Sequence, residues 1–278
     1  MSETIIEIRD LWFKYSEEVV ALRGVNLRIG RGEKIALIGQ NGSGKTTLAK
    51  HLNGLLKPTR GDVIVKGLNT KLTPTSLLVN IVGYVFQNPV HQIFRKSVYE
   101  EVAYGPQNQG LTSHEVDRRV KLALELVGLR GYENYNPYDL NYGQMKLLTI
   151  ASIIAMDPEV YVLDEPTSGQ DHRGRKEIMK LVDKLNREGK TVIVITHDMR
   201  FVAEATDRTI LMAKGEIVGD GTTREIFSKI ELLERASIKP PQIVQLCREL
   251  RNFGLNFDSL TIQEALEDFK NYLKDRIQ

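Results

Sequence analysis

Two short runs of residues carry most of the chemistry legible in this chain. The first, Gly39-Gln40-Asn41-Gly42-Ser43-Gly44-Lys45-Thr46, fits the pattern G-x-x-x-x-G-K-[ST]. Glycines at these intervals let successive backbone N–H groups curl around phosphate oxygens at a helix N-terminus, where the dipole favours anions. Lys45 would then neutralise the outer phosphates of a nucleoside triphosphate, and the Thr46 hydroxyl would ligate Mg²⁺. The second run, Val160-Tyr161-Val162-Leu163-Asp164-Glu165, is four apolar residues ended by two acids. A buried strand of this kind delivers both carboxylates to the carboxyl edge of a sheet, where open α/β folds bind ligands. Asp164 is placed to hold Mg²⁺, usually through water, and Glu165 to act as general base on an attacking water. An acid pair alone is a weak signal, since strand ends often carry solvated charges; downstream of a phosphate loop it becomes strong.

Two further residues gain meaning only from this company. His197 ends the strand-like run Thr191–Thr196, where a neutral imidazole can hydrogen-bond a γ-phosphate and sense its loss. Gln87 follows the run Ile81–Phe86 and can reach Mg²⁺ or the attacking water. By itself, a histidine or glutamine at a strand end is more often structural.

The elements that must position these groups alternate in type. Residues 4–30 alternate as half-buried strands do, and Lys34–Ile38 reads as a buried strand entering the glycine loop, with a helix from Lys45. A strand pair is expected at Gly61–Val65 and Ile81–Phe86. From about Asn88 to Pro158 the pattern is helical, with Val120, Leu124 and Val127 on one stripe. Strand patterns return at Val160–Leu163, Thr191–Thr196 and Thr209–Met212. This order implies an α/β fold with a mostly parallel sheet and a helical insertion at about 88–158. After Pro240-Pro241 a helix carries Ile243, Leu246 and Leu250, and Thr261 with Glu264 suggests a capping box ahead of a second amphipathic helix. Residues 229–278 therefore read as a small helical appendage to a main domain of 1–228, with packing back onto that domain an equal alternative.

Composition narrows the class further. The 38 basic and 36 acidic residues leave a formal charge of +2, no electrostatic footprint for nucleic acid. A lone cysteine, Cys247, cannot form an internal disulfide and reads as a small buried hydrophobe. No apolar run approaches the roughly 18–20 residues that span a bilayer, and Met1–Asp10 shows no signal-peptide core. Any action at a membrane is expected to run through partners.

Taken in order and spacing, the loop at 39–46, Gln87, Leu163-Asp164-Glu165-Pro166-Thr167 and Thr196-His197-Asp198 resemble the ABC ATPases over residues 1 to about 228. The resemblance implies a P-loop ATPase fold with an antiparallel β subdomain beside the main sheet. It implies Mg·ATP as ligand, held by residues 39–46 with Thr47, and Tyr15 of Phe13-Lys14-Tyr15 stacked on adenine. A narrower similarity, to the ATPases of energy-coupling-factor vitamin and cobalt importers, rests on Phe86-Gln87-Asn88-Pro89, Gln92-Ile93-Phe94, Val102-Ala103-Tyr104-Gly105-Pro106, Gly110-Leu111 and the helical tail. It implies a second ATPase subunit, a transmembrane scaffold, a membrane substrate-binding protein, and a peripheral place on the cytoplasmic membrane face. The tail resembles an added dimerisation segment, and Ile93, Phe94, Val98, Val102 and Tyr104 are candidates to line a groove for the scaffold.

One segment departs from that pattern. Such ATPases lend a Leu-Ser-Gly-Gly-Gln signature to the partner's nucleotide; here it is Leu140-Asn141-Tyr142-Gly143-Gln144, followed by Leu147 in place of a basic residue. Asn141, Gly143 and Gln144 remain able to meet a partner's ATP, but Tyr142 replaces a glycine that permits close approach and unusual backbone angles. Gln170 also stands where leucine is usual. The expectation is an impaired half-site and a preferred heterodimer. Two rival functions are a soluble ABC ATPase acting on ribosomes or DNA, and a largely non-hydrolysing regulatory subunit. The first lacks its usual tandem cassette or coiled coil here, and intact Asp164, Glu165 and His197 speak against the second.

Overall fold

The computed structural model describes residues 3–277, with side chains through Lys274. Strands β1 (Thr4–Lys14) and β2 (Val20–Gly30) form an antiparallel ribbon, and β3 (Lys34–Gly39) runs into helix α1 (Lys45–Leu52). β4 (Arg60–Val65) and β5 (Leu68–Asn69) follow, then α2 (Thr75–Leu78) and β6 (Val82–Val85). Helices α3 (Val98–Asn108), α4 (Ser113–Leu126) and α5 (Tyr142–Met156) form the insertion. The chain then alternates through β7 (Val160–Asp164), α6 (His172–Arg187), β8 (Thr191–Ile195), α7 (Met199–Ala205), β9 (Arg208–Ala213) and β10 (Glu216–Thr222). Four helices end it: α8 (Thr223–Ser228), α9 (Ile230–Arg235), α10 (Gln242–Arg251) and α11 (Ile262–Ile277).

The strands form two sheets, ordered β2-β1-β4-β5 and β10-β9-β3-β8-β7-β6. The first is antiparallel, and the second is parallel except for its β9–β10 edge. The runs at Gly61–Val65 and Ile81–Phe86 are both strands but do not pair: β4 joins β1, and β6 joins β7. Each is apolar enough to be buried, and the pattern carries no information on which sheet receives it.

Because side chains alternate across a strand, the parallel sheet separates cores. Val160, Val162, Ile193 and Ile195 face the antiparallel sheet and α1, while Tyr161, Leu163, Val192 and Val194 face the helical insertion and α6. Ala36, Ile38 and Leu211 face a third core with Phe227 of α8 and with Leu233, Ala236 and Leu260 of the tail. Arg224 of α8 adds an ion pair to Glu264 of α11. The tail thus has one side seated on the main sheet, with Leu246, Phe253, Ile262, Leu266 and Leu273 left exposed. Thr261 accepts from the Glu264 N–H at 3.1 Å, but the Glu264 carboxylate answers to the N–H of Leu260 rather than Thr261, half a capping box. Cys247 is buried on α10.

Candidate functional site

β3 ends at Gly39 and α1 starts at Lys45, so the chain must reverse in the residues between. Gly39 (φ 152°) and Gly44 (φ 102°) adopt angles that L-residues avoid. A Cβ would lie 2.3 Å from the Met212 carbonyl oxygen at Gly39 and 2.9 Å from that of Ala21 at Gly44. No side chain caps α1, so the N–H groups of its first turn are offered to an anion. The Lys45 ammonium rests on the loop's own carbonyls, Gly39 at 2.7 Å and Gln40 at 3.1 Å. Burial lowers its pKa, while Glu165 and Asp164 oppose the shift. The buried Ser43 Oγ has no hydrogen-bond partner among the described residues. A loop with an orphaned hydroxyl, an uncapped helix and a lysine held only by backbone fits a phosphate ligand.

The acids of β7 meet this loop. Asp164 Oδ2 accepts from Thr46 Oγ1 at 3.0 Å and from Tyr84 Oη at 2.7 Å. Burial, then the Asp164 charge, pushes the Tyr84 phenol well above its ordinary value, so it stays a donor. The adjacent hydroxyl and carboxylate oxygens of Thr46 and Asp164 are hard donors of the kind Mg²⁺ takes, usually with waters completing its shell. Glu165 sits in the left-handed region at φ 48° and is nearly buried at 7% exposure. Thr196 Oγ1 donates to its Oε2 at 3.1 Å, and His197 Nδ1 lies 2.8 Å from its Oε1. The carboxylate is thus held from behind while the imidazole stays largely exposed.

Asn41, Gly42, Gly44, Lys45, Thr46, Thr47, Gln87, Asp164, Glu165 and Ile195 line one open cavity of about 340 Å³. Gly39, Gln40 and Ser43 belong to the same loop but do not line the cavity, and His197 joins through Glu165. Tyr15 stands over α1, its hydroxyl 3.1 Å from Thr47 Oγ1 and its ring edge-on to Phe13 and 57% exposed. Asn141, Gly143 and Gln144 lie outside this cavity. Asn141 caps α5 in a full capping box: its Oδ1 accepts from the Gln144 N–H at 2.9 Å, and Gln144 Oε1 accepts from the Asn141 N–H at 3.1 Å. Asparagine caps helices as well as serine does. Tyr142 is an ordinary first helical residue, so its backbone requires no glycine; its bulk remains, half-exposed and packed over Gly169. Gln170 Nε2 donates to the Gly143 carbonyl at 2.8 Å, tying the two departures together.

Beside Gln87 lies a second, largely apolar hollow of about 580 Å³, lined by Leu55, Val79, Phe86, Tyr104, Ile153 and Met156 among others. Ile93, Val98 and Val102, expected as groove residues, are core side chains of the insertion. Phe94 and Tyr104 are exposed and packed edge to face at 4.9 Å, with the Arg95 guanidinium over Tyr104. Buried Glu101 shapes this corner by accepting the N–H groups of Phe94 and Arg95.

The sequence reading missed Tyr84 and Lys146. The Lys146 side chain is fully buried and donates to the carbonyls of Phe86, Gln87 and Asp164. Burial lowers its pKa to about 8 against the pull of Asp164 and Glu165. A signal existed: Lys146 is the sole charged residue in the 15-residue helix α5, and lysine is almost never fully buried without a partner.

Residues 22–168 match the family model described as ABC transporter. The chain belongs to this family of ATP-binding cassettes, and it is an ATPase whose ligand is Mg·ATP. Within the family its whole-length likeness runs to energy-coupling-factor transporter ATP-binding proteins. It is 43% identical to EcfA of Methanocaldococcus jannaschii over 98% of this chain and 99% of that protein. It is 45% identical to EcfA2 of Clostridium perfringens over 90% of each. Among solved structures it is similar to CbiO1 of Clostridium perfringens, part of the ABC transporter complex CbiONQ. That likeness has a TM-score of 0.75 and 35% identity, over 89% of this chain and all of that one. It is also similar, at TM-score 0.72 and 29% identity over 78% of this chain and 98% of that one, to a dimeric cassette in a post-hydrolysis state bound to ADP and Pi.

Proposed function

We propose that this chain is the ATP-binding and hydrolysing subunit of an energy-coupling-factor importer and drives uptake of a micronutrient, a vitamin or a transition-metal ion. The observation that carries the reading is the convergence of the phosphate loop, Asp164 and the doubly held Glu165 on one cavity. Mg·ATP supplies the γ-phosphoryl group and the cation that spreads its charge. Lys45 exchanges its carbonyl partners for phosphate oxygens, and Thr46 with Asp164 holds the cation. Glu165, fixed by Thr196 and His197, takes the proton of the attacking water, and Gln87 orients that water. Tyr15 stacks on the base. The same arrangement disfavours a purely regulatory, non-hydrolysing subunit, which has no use for a general base held this closely.

The remaining assignments concern partners. No helix among the described residues is long and apolar enough to cross a membrane. The apolar hollow beside Gln87, with Phe94 and Tyr104 near its mouth, is the surface for a transmembrane scaffold, which keeps the chain peripheral on the cytoplasmic face. A membrane substrate-binding protein supplies specificity. A second, related cassette completes the dimer and receives Asn141, Gly143 and Gln144 at its nucleotide.

Affinity capture of the chain from gently solubilised membranes, with ATPase measured on the captured assembly, tests this directly. A second cassette, an integral membrane protein and ATP turnover are expected together. Capture of ribosomal particles or DNA-bound proteins instead would replace the importer with the soluble reading.

A further inference from the structure

The ladder between β6 and β7 ends at the pair Val85 and Leu163. One or two residues later the chain has reached Phe86, Gln87 and Asp164, and β7 continues to pair only on its other side, with β8. Carbonyls at the parting of two strands lose their partners, and buried ones are costly to leave unmade. The Lys146 ammonium has three donors, and it spends one on each: Phe86 at 2.7 Å, Gln87 at 3.1 Å and Asp164 at 2.6 Å. Tyr142, one helical turn earlier on α5, brings its hydroxyl to the same Gln87 carbonyl at 3.5 Å. A fully buried cation is an expensive way to satisfy carbonyls that a neutral donor could serve. What it adds is a rigid junction of three segments: the strand end before Gln87, the strand end before Glu165, and the helix capped by Asn141.

We propose that Lys146 is a positioning residue for hydrolysis, holding the main chain at Gln87 and Asp164 in one geometry and tying it to the helix that faces the partner's nucleotide. Substrate does not touch it. It acts through the side chains of Gln87 and of Asp164-Glu165, which project into the cavity from the backbone it fixes. The inference rests on the roles given above to Gln87 and Glu165.

The test uses the assembled transporter with four variants of this chain: Lys146→Met, Lys146→Gln, Gln87→Ala and the Lys146→Met/Gln87→Ala pair. Turnover, KM for ATP and the Kd of a fluorescent ATP analogue are read for each. Lys146→Met is expected to lower kcat about tenfold or more with KM and Kd within about twofold, the pattern of a group felt only in the transition state. Lys146→Gln, which keeps two donors, recovers part of the loss. The paired variant is expected to be no slower than its slower single, because the two residues act as one unit. Parental kcat in Lys146→Met, or losses that multiply in the pair, overturns the proposal. Should Lys146→Met fail to fold, parental kcat in Lys146→Gln overturns it equally, since the lysine would then serve stability alone. Parental kcat in Gln87→Ala would overturn the reading of Gln87, a failure distinct from that of Lys146.

Discussion

Glu165 is held in a left-handed backbone conformation with Thr196 and His197 each on one carboxylate oxygen, a backbone state that costs energy for a residue other than glycine. Glu165→Gln keeps the shape and both contacts but removes the base. It is expected to bind nucleotide normally while turnover falls by about 10²–10⁴, read as phosphate release beside nucleotide retention on a filter. Equal turnover would mean that another group takes the proton. Lys45→Ala should do the reverse. Losing a charge-assisted contact worth about 1.5–3 kcal/mol weakens ATP binding by roughly 10–100-fold, measured as the Kd of a fluorescent analogue. These residues were legible because glycine, lysine and acids at fixed spacing have few other reasons to coincide. Lys146 and Tyr84 were not. Their roles come from burial against Asp164, 18 residues from Lys146 and 80 from Tyr84 in sequence but adjacent in space. The lone charge in an apolar helix marks Lys146 as unusual without naming what it serves, and nothing local marks Tyr84.

At the scale of elements, alternation placed the first two strands, short apolar runs placed the buried ones, and the periodicity of 3.6 placed the helical insertion, while pairing escaped all three. The separate sheets of β4 and β6 and the edge strand β10 follow from tertiary contacts that identical alternation can serve equally. The insertion shows the same limit: Ile93 and Phe94 are neighbours of like hydrophobicity, yet Ile93 is 3% and Phe94 57% exposed. Glu101 accepts both backbone N–H groups at residues 94 and 95 where the chain passes from the buried Ile93 to Phe94, whose ring lies against Tyr104. Substitution should separate the two. Phe94→Glu is expected to leave thermal stability within about 0.5 kcal/mol, as exposed changes do, but to weaken capture of the membrane partner about tenfold or more. Ile93→Glu places a charge in the core and should unfold the insertion. Thermal melting and co-purification check both. Full recovery of the partner with Phe94→Glu would move the docking surface elsewhere.

For the whole molecule, the central parallel sheet divides three cores, and the groups proposed to touch the phosphates and Mg²⁺ from this chain's own side gather at its carboxyl edge, with Tyr15 reaching in from the end of β1 in the antiparallel sheet. The end of α5 proposed to meet a partner's nucleotide lies outside that cavity, and there the chain departs from the family pattern. The structure changes the expected reason: position 142 is helical, so Tyr142 is tolerated by the backbone and any deficit comes from its half-exposed bulk. A homodimer would place that bulk at both composite sites. A heterodimer places it at one, leaving this chain's phosphate loop and Glu165 opposite a partner's Ser-Gly signature. A chain that keeps Lys45, Asp164, Glu165 and His197 intact suits the second arrangement. Purified alone, it is expected to hydrolyse ATP slowly at every concentration, and addition of a related cassette should raise turnover severalfold. In that mixed dimer, Glu165→Gln in this chain should remove most activity, whereas the matching change in the partner removes little. Asn141→Ser with Tyr142→Gly should raise turnover of the chain alone, because both homodimeric sites then regain a close approach. High activity of the purified chain, indifferent to that double substitution, would show Tyr142 to be harmless and leave the heterodimer without its argument.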